Sequence, residues 1–190
     1  PWEVRRWDVT HTVGLGGRTE HTTDGKGRHQ VKWIPERVVK GVPYDTAVLG
    51  YGTANANFLR LWSAVADEEF DLEAFQVGEY VRAVEDKVRS ENITKVLYPN
   101  DATLQGKQLR LEQQYFFVSC ALQDAIRLLL QKTTIDKFAE KYAVQLNDTH
   151  PSLAVAELMR LLMDVHGLEW DPAWDITTRA LSYTNHTLLP

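Results

Sequence analysis

Ala143-Val144-Gln145-Leu146-Asn147-Asp148-Thr149-His150-Pro151 reads as a short apolar strand, a polar loop, and a proline of the kind favoured at the first helical position. Leu153, Leu158, Leu161 and Leu162 carry a helix on to Gly167, a natural stop. Asp171-Pro172, a cap followed by proline, starts another helix that includes Trp174 and Ile176 and gives way to Leu181-Ser182-Tyr183-Thr184-Asn185-His186. The order strand, helix, helix, strand predicts a βααβ unit from a parallel sheet. The fold class is therefore α/β.

Upstream, Leu111, Tyr115, Val118, Leu122, Ile126 and Leu129 repeat at spacings of three and four and predict a long, central helix over about 107–131. Before it, Val77, Tyr80, Val81, Val84 and Val88 fall on one face of a helix of about 14 residues. The first third reads as β-hairpins. Val9, His11 and Val13 alternate, Val31/Trp33 and Val38/Val42 continue the pattern, and Phe58 to Val65 is a further strand. Gly14 to Gly17 and Asp24-Gly25-Lys26-Gly27 are the expected turns. With no repeat or linker, residues 1–190 are expected to form a single partial domain.

The bulk properties exclude several function classes. With 44% hydrophobic and 25% charged residues, the chain has the composition of a globular protein, and no apolar run approaches the roughly 20 residues that span a bilayer. A formal charge of −5, with Arg5-Arg6 the only dense basic pair, argues against a nucleic-acid surface. Cys120, the single cysteine, forbids an internal disulfide, sits in an apolar helical pattern as a buried small residue, and fits a cytoplasmic location. The first residue is Pro and the last residues follow directly on a polar cluster, so truncation at both ends is expected.

In open α/β sheets ligands gather beyond the carboxyl ends of strands. Asn147-Asp148-Thr149-His150 and Tyr183-Thr184-Asn185-His186-Thr187 both sit at such ends, and together offer carboxylate, amide, hydroxyl and imidazole groups suited to sugar hydroxyls. Each has a plainer reading. Asp148 or Thr149 could simply cap the next helix, and His186 could be a hydrogen-bonded core histidine. Asp148, His150 and His186 lack the spacing of a compact zinc motif. Tyr98-Pro99-Asn100-Asp101, ahead of Gly106, is either a functional loop or an ordinary turn, with Arg110 placed to orient its carboxylate or to form a surface ion pair. The six tryptophans are scattered, and core packing is the expected role for most of them.

Several longer strings occur together and in order: Pro43-Tyr44-Asp45, Leu59-Arg60-Leu61-Trp62-Ser63-Ala64, Val96-Leu97-Tyr98-Pro99-Asn100-Asp101, Leu109-Arg110-Leu111, Gln113-Gln114-Tyr115-Phe116, Gln145 to Pro151, Glu157-Leu158-Met159-Arg160 and Tyr183 to Thr187. In these the chain resembles the glycogen and starch (α-glucan) phosphorylases over essentially its whole length. The resemblance implies an internal fragment of that family's amino-terminal half, and hence an incomplete Rossmann-like domain of the glycosyltransferase-B type. It also implies phosphorolysis of α-1,4-glucan by inorganic phosphate, releasing glucose 1-phosphate with retained configuration.

The same resemblance implies that His186 contacts the terminal glucose, its side chain at the 6-hydroxyl and its backbone carbonyl near the anomeric centre. Asp148 and His150 would line the pocket beside that centre, and Asn185 belongs to the same substrate-binding cluster. Asn100 and Asp101 would form a mobile gate with Arg110 nearby. Where the family's gate continues with a sugar-binding Asn and an aromatic residue, this chain has Ala102 and Thr103. Of the paired arginines that hold an activating nucleotide, Arg127-Leu128 keeps only the first, which implies weak or absent nucleotide activation. A helix at about Tyr80 to Asn92 would reach across a homodimer. Pyridoxal 5'-phosphate, whose phosphate relays a proton to the substrate phosphate, would attach outside this chain, because no lysine here lies in a segment like the family's cofactor lysine. The fragment alone would then be inactive. A carbohydrate-binding module without catalysis is the alternative reading.

Overall fold

Arg37–Leu49, rich in β-branched residues, is the longest strand and organises the first sheet around itself. The structure, a computed structural model, describes residues 2–188 apart from 24, 26, 28, 68 and 69. The first strands are β1 (Glu3–Arg5), β2 (His11–Leu15), β3 (Arg18–Thr23), β4 (His29–Ile34), β5 (Arg37–Leu49) and β6 (Ala56–Ala66). β5 pairs antiparallel with β1 and β2 on one side and with β6 on the other, Val39 opposing Ala66 and Leu49 opposing Ala56. β3 and β4 form a separate hairpin whose last register pair is Thr23 and His29. Asp24 and Lys26 of the turn expected there lie outside the described residues.

The turn expected at Gly14 to Gly17 is shorter than anticipated. Gly14 belongs to β2, while Gly16 (φ 63°) and Gly17 (φ 89°) make the reversal. A Cβ on Gly17 would lie 2.0 Å from the Ile34 carbonyl oxygen. Only glycine fits there.

After α1 (Leu72–Gln76), capped by Asp71 whose side chain accepts from the Ala74 N–H, Gly78 turns the chain at φ 86° and α2 runs over Arg82–Lys95. The valine face expected on this helix is overturned. Val77, Tyr80 and Val81 precede α2, and all three, with Val84 and Val88, are exposed. The buried face is Ala83, Ser90 and Ile93. Small residues let α2 lie close to β6, close enough for the Ala64 N–H to donate to Thr94 Oγ1 at 3.1 Å.

α3 spans Leu104–Leu130. The chain divides within it into two compact units, residues 1–112 and 113–190. In the second unit Val118, Leu122, Ile126 and Leu129 of α3 are buried, as their spacing predicts. A 3-10 turn (Ile135–Lys137) and α4 (Phe138–Lys141) lead to β7 (Val144–Asn147). Next come α5 (Ala154–Arg160), which runs into a π-turn (Leu161–Val165), then α6 (Trp170–Ala180) and β8 (Leu181–Thr184). β7 and β8 pair in parallel, so the strand–helix–helix–strand order forms the expected crossover unit. Phe138, Leu146, Leu158, Leu162, Ala173 and Ile176 fill its core. The mixed helix and strand content is that of an α/β protein.

Two helix starts differ from expectation. Residues 149–154 first form turns in which Ser152 N–H donates to the Thr149 carbonyl and Ala154 N–H to that of Pro151, so α5 begins three residues beyond Pro151. α6 begins with Glu169 at the cap position, which places Asp171 in the first turn, where its charge suits the helix dipole. The tryptophans also depart from a core role, since of the six only Trp62 is buried. Trp170 and Trp174 lie nearly parallel on α6 with centroids 6.3 Å apart, and the Arg5 guanidinium stacks 3.6 Å from the Trp7 ring. No helix among the described residues is long and apolar enough to cross a membrane.

Candidate functional site

β7 and β8 end side by side, with Asn147 opposite Thr184 as the last pair of the parallel ladder. One residue further on, the Asp148 N–H donates to the Thr184 carbonyl at 2.7 Å, and the chain then leaves the sheet because Asp148 takes φ 61°. That left-handed conformation costs an ordinary L-residue about 1–2 kcal/mol, and Asp is among the few that tolerate it. Strained backbone at a strand's carboxyl end is a recurrent mark of functional sites.

The bend brings the two polar loops together. Asp148 Oδ1 accepts from the Thr149 N–H at 2.7 Å and Oδ2 accepts from the Thr187 hydroxyl at 2.5 Å. His186 Nε2 lies 3.2 Å from Asn147 Oδ1. The Gln145 amide donates to Thr184 Oγ1 at 2.6 Å. Asn185 closes its own loop: its Oδ1 accepts from the Thr187 N–H and its Nδ2 donates to the Thr187 carbonyl, both at 3.0 Å. Asp148 and His186, expected at one rim, are therefore neighbours there.

Asp148 is buried, yet its carboxyl is held below the usual carboxylate range. The Thr187 hydroxyl contributes most, then the Thr149 N–H, against the opposing effect of burial, with His150 and His186 lowering it further. A carboxylate so placed stays ionised at neutral pH. It can accept hydrogen bonds or offset developing positive charge, and it is poorly suited to donate a proton. It does not cap α5, because its side chain engages the adjacent Thr149 and the distant Thr187, and α5 has no side-chain cap. Neither does His186 fill the core: it is exposed at the rim. Among the described residues no group of His, Cys, Asp and Glu is arranged to hold a metal ion.

The other expected residues assemble in the first unit. Asn100 Oδ1 accepts from the Ala102 N–H at 2.8 Å, and Arg110 Nη1 reaches Asp101 Oδ2 at 2.8 Å with its guanidinium 5.7 Å from the Tyr98 ring centroid. Tyr98 itself sits at φ 52°. Thr103 Oγ1 accepts from the Gly106 N–H at 3.1 Å and so caps the start of α3, a use the sequence did not suggest. Arg110 pairs with the loop's carboxylate at an exposed position, a contact that fits both an orienting role and a surface ion pair.

Two residues of the rim were named in the sequence only as members of polar clusters: Asn147 and Thr187. The chemistry of such residues is visible in sequence, but their partners, 39 positions away in each case, are not.

The chain is similar to known proteins over its whole length. The chain is 58% identical to a glycogen phosphorylase of Synechocystis sp., an alignment covering 100% of this chain and 22% of that protein. The muscle forms of glycogen phosphorylase from Mus musculus and Homo sapiens match at 49% and 48% identity, again over all of this chain and 23% of theirs. The chain thus spans between a fifth and a quarter of the length of these relatives. A family description, carbohydrate phosphorylase, matches residues 1–190 without remainder. With a polar rim built at the carboxyl ends of both strands of one parallel pair, and with every residue inside the family match, this chain belongs to the carbohydrate phosphorylases.

Proposed function

We propose that the whole protein containing this chain is an α-glucan phosphorylase, a glycosyltransferase that cleaves α-1,4-glucan with inorganic phosphate to release glucose 1-phosphate. One observation carries the reading: in a chain of this family, side-chain bonds between His186 and Asn147 and between Thr187 and Asp148 bring Asp148 and His186 to one rim beyond β7 and β8. In this reading the terminal glucose sits at the rim. His186 binds it, Asp148 places fixed negative charge beside the anomeric centre, and His150 lines the same pocket. An ionised carboxylate held by hydrogen bonds favours an oxocarbenium-like transition state without needing to reorganise. Asn185, whose amide carries two donors and two acceptor lone pairs, contributes a second hydrogen bond of each kind toward substrate. Asn100 and Asp101, steadied by Arg110, act as the gate.

The rim offers carboxylate, imidazole, amide and hydroxyl groups and no amine. It fits a sugar, and it does not fit the aldehyde of pyridoxal 5'-phosphate, which this reading assigns to residues outside the chain. The two units are read as parts of one incomplete Rossmann-like domain of glycosyltransferase-B type, in which β7 and β8 belong to a larger parallel sheet. The exposed Tyr80, Val84 and Val88 support homodimer contact through about Tyr80 to Asn92. A single buried cysteine fits a cytoplasmic enzyme.

The test is phosphorolysis by the full-length enzyme. Asp148→Asn and His186→Ala are each expected to lower kcat/KM by about 10²–10³-fold with the fold intact. Near-normal turnover by either variant overturns the site assignment.

A further inference from the structure

The bonds across the rim are reciprocal. Asn147, the last residue of β7, holds His186 of the loop after β8. Thr187, in the loop after β8, holds Asp148 of the loop after β7. The geometry points to Asn147 and Thr187 as a crossed pair of positioning residues, each orienting the functional side chain that the other loop carries. The inference rests on the site reading above.

The crossing has chemical content at both rungs. Asn147 Oδ1 is an acceptor and favours the His186 tautomer that carries its proton on Nε2. Nδ1 then keeps its lone pair, and His186 presents an acceptor to a sugar hydroxyl. At the other rung the Thr187 hydroxyl can donate to Asp148 only while the carboxylate accepts. Thr187 is itself held, because Asn185 engages its backbone N–H and carbonyl at 3.0 Å each. Asp148 stands at φ 61°, where the backbone leaves the sheet.

The pair also explains why the rim is precise although it stands on loops. β7 and β8 run only four residues each, and their ladder stops at Asn147 and Thr184. Past the last backbone bond, from the Asp148 N–H to the Thr184 carbonyl, the side-chain rungs supply the connection between the two segments of the rim. Displacing a reacting group by about 1 Å costs on the order of 10²-fold in rate, so the rungs matter without touching substrate.

Double-substitution cycles in the full-length enzyme test this. Thr187→Val is expected to lower kcat by about 10²-fold while KM for phosphate changes little. Thr187→Ser, which keeps the hydroxyl, returns most of the rate. The titratable groups acting on Asp148 are His150, from the turn after β7, and His186, from the loop after β8. Removing the hydroxyl takes away the largest influence that holds the Asp148 carboxyl low, and Thr187→Ser keeps it. In the Asp148→Asn background Thr187→Val adds less than about twofold, and in the His186→Ala background Asn147→Ala does the same. Melting temperatures of all variants, and the serine rescue, separate positioning from misfolding. Near-normal kcat in Thr187→Val, failure of Thr187→Ser to restore the rate, or additive cycles overturns the inference while leaving the losses in Asp148→Asn and His186→Ala standing. Normal turnover in those two single variants removes the site reading, and the inference with it.

Discussion

The two units solve the burial problem differently. In the second, residues 113–190, helices wrap the strand pair and one contiguous cluster runs from Val118 to Ala180. In the first, the β5–β6 ribbon is covered only toward one end. Trp62, Ala64 and Ala66 are buried in alternation, whereas Leu49, Phe58, Leu59 and Leu61 are exposed. A helical stripe buries itself wherever a neighbouring helix or strand meets it, while alternation along a ribbon yields a core only where something lies on the face. The unit carrying Asp148 and His186 is accordingly the one whose own sequence supplies its core.

In each unit a buried carboxylate ties elements together, Asp45 in the first and Glu157 in the second, and the two differ in their surroundings. Asp45 of β5 takes both arms of Arg60, its register partner on β6, at 2.6 Å, and Arg6 reaches it at 3.4 Å. Glu157 of α5 accepts from Tyr115 at 2.8 Å and Ser119 at 2.6 Å, both on α3, and from Arg160 at 2.7 and 2.8 Å. Replacing Glu157 by Ala removes the acceptor used by two hydroxyls and a guanidinium inside the helical layer, at an expected cost of about 3–5 kcal/mol. Asp45→Ala is expected to cost about 2 kcal/mol, because the side chains of Arg6 and Arg60 keep 38% and 21% of their exposure and can turn to water. Hydrogen exchange of the full-length protein reads both, through the opening free energies of α3 and α5 against those of β5 and β6. A larger loss from Asp45→Ala would reverse the comparison.

A smaller effect is expected at Gly106, in the first turn of α3. Alanine is ordinarily worth about 1 kcal/mol over glycine in a helix. Here a Cβ would lie 2.0 Å from the Asn100 carbonyl oxygen and 3.2 Å from the Asp101 Cα. Backbone cannot yield as a flexible side chain would, so the loop of Asn100 and Asp101 must move. Gly106→Ala is expected to destabilise by about 1–3 kcal/mol. The effect should show as faster exchange and proteolysis confined to residues 98–106. A stabilised α3 with an unchanged loop would show that the close approach carries no constraint.

How far the sequence discloses this molecule follows from the same contrast. The crossover unit was legible because Leu122, Ile126 and Leu129 repeat with the helical period and actually pack, and because the two strands carry their own apolar residues. The α2 face was misread because Val84 and Val88 share a helical face that nothing among the described residues covers, while the buried residues are Ala83, Ser90 and Ile93, and neither a small Ala nor a polar Ser announces a core face. The tryptophans misled for a related reason: large apolar rings such as Trp7 and Trp170 can be accommodated by stacking at the surface. At the rim, Asp148 and His186 were legible by chemistry. Asn147 and Thr187 were not, because a hydrogen bond across two loops depends on register and on the left-handed turn at Asp148, neither of which a residue type encodes.

The mildest expected difference between the units appears only in alkali. The second unit holds the single thiol, Cys120, which is buried on α3, and burial pushes its pKa well above the ordinary cysteine value, with the charges of Asp124 and Glu157 acting in the same direction. Because the folded thiol binds its proton more tightly than the unfolded one, its contribution to stability is fully present below the unfolded pKa of about 8.5 and falls away as pH rises above it. Burial and the Glu157 charge raise Tyr115 in the same way, and its contribution declines from about pH 10 upward. Between those values the loss belongs to Cys120, so Cys120→Ala should flatten the pH dependence of α3 opening there and leave β5 and β6 unaffected. A thiol reagent at pH 8 should modify Cys120 only at the rate at which α3 opens. Rapid modification of the folded enzyme, or an alkaline loss of stability that survives Cys120→Ala, would place that dependence on some other group of the second unit.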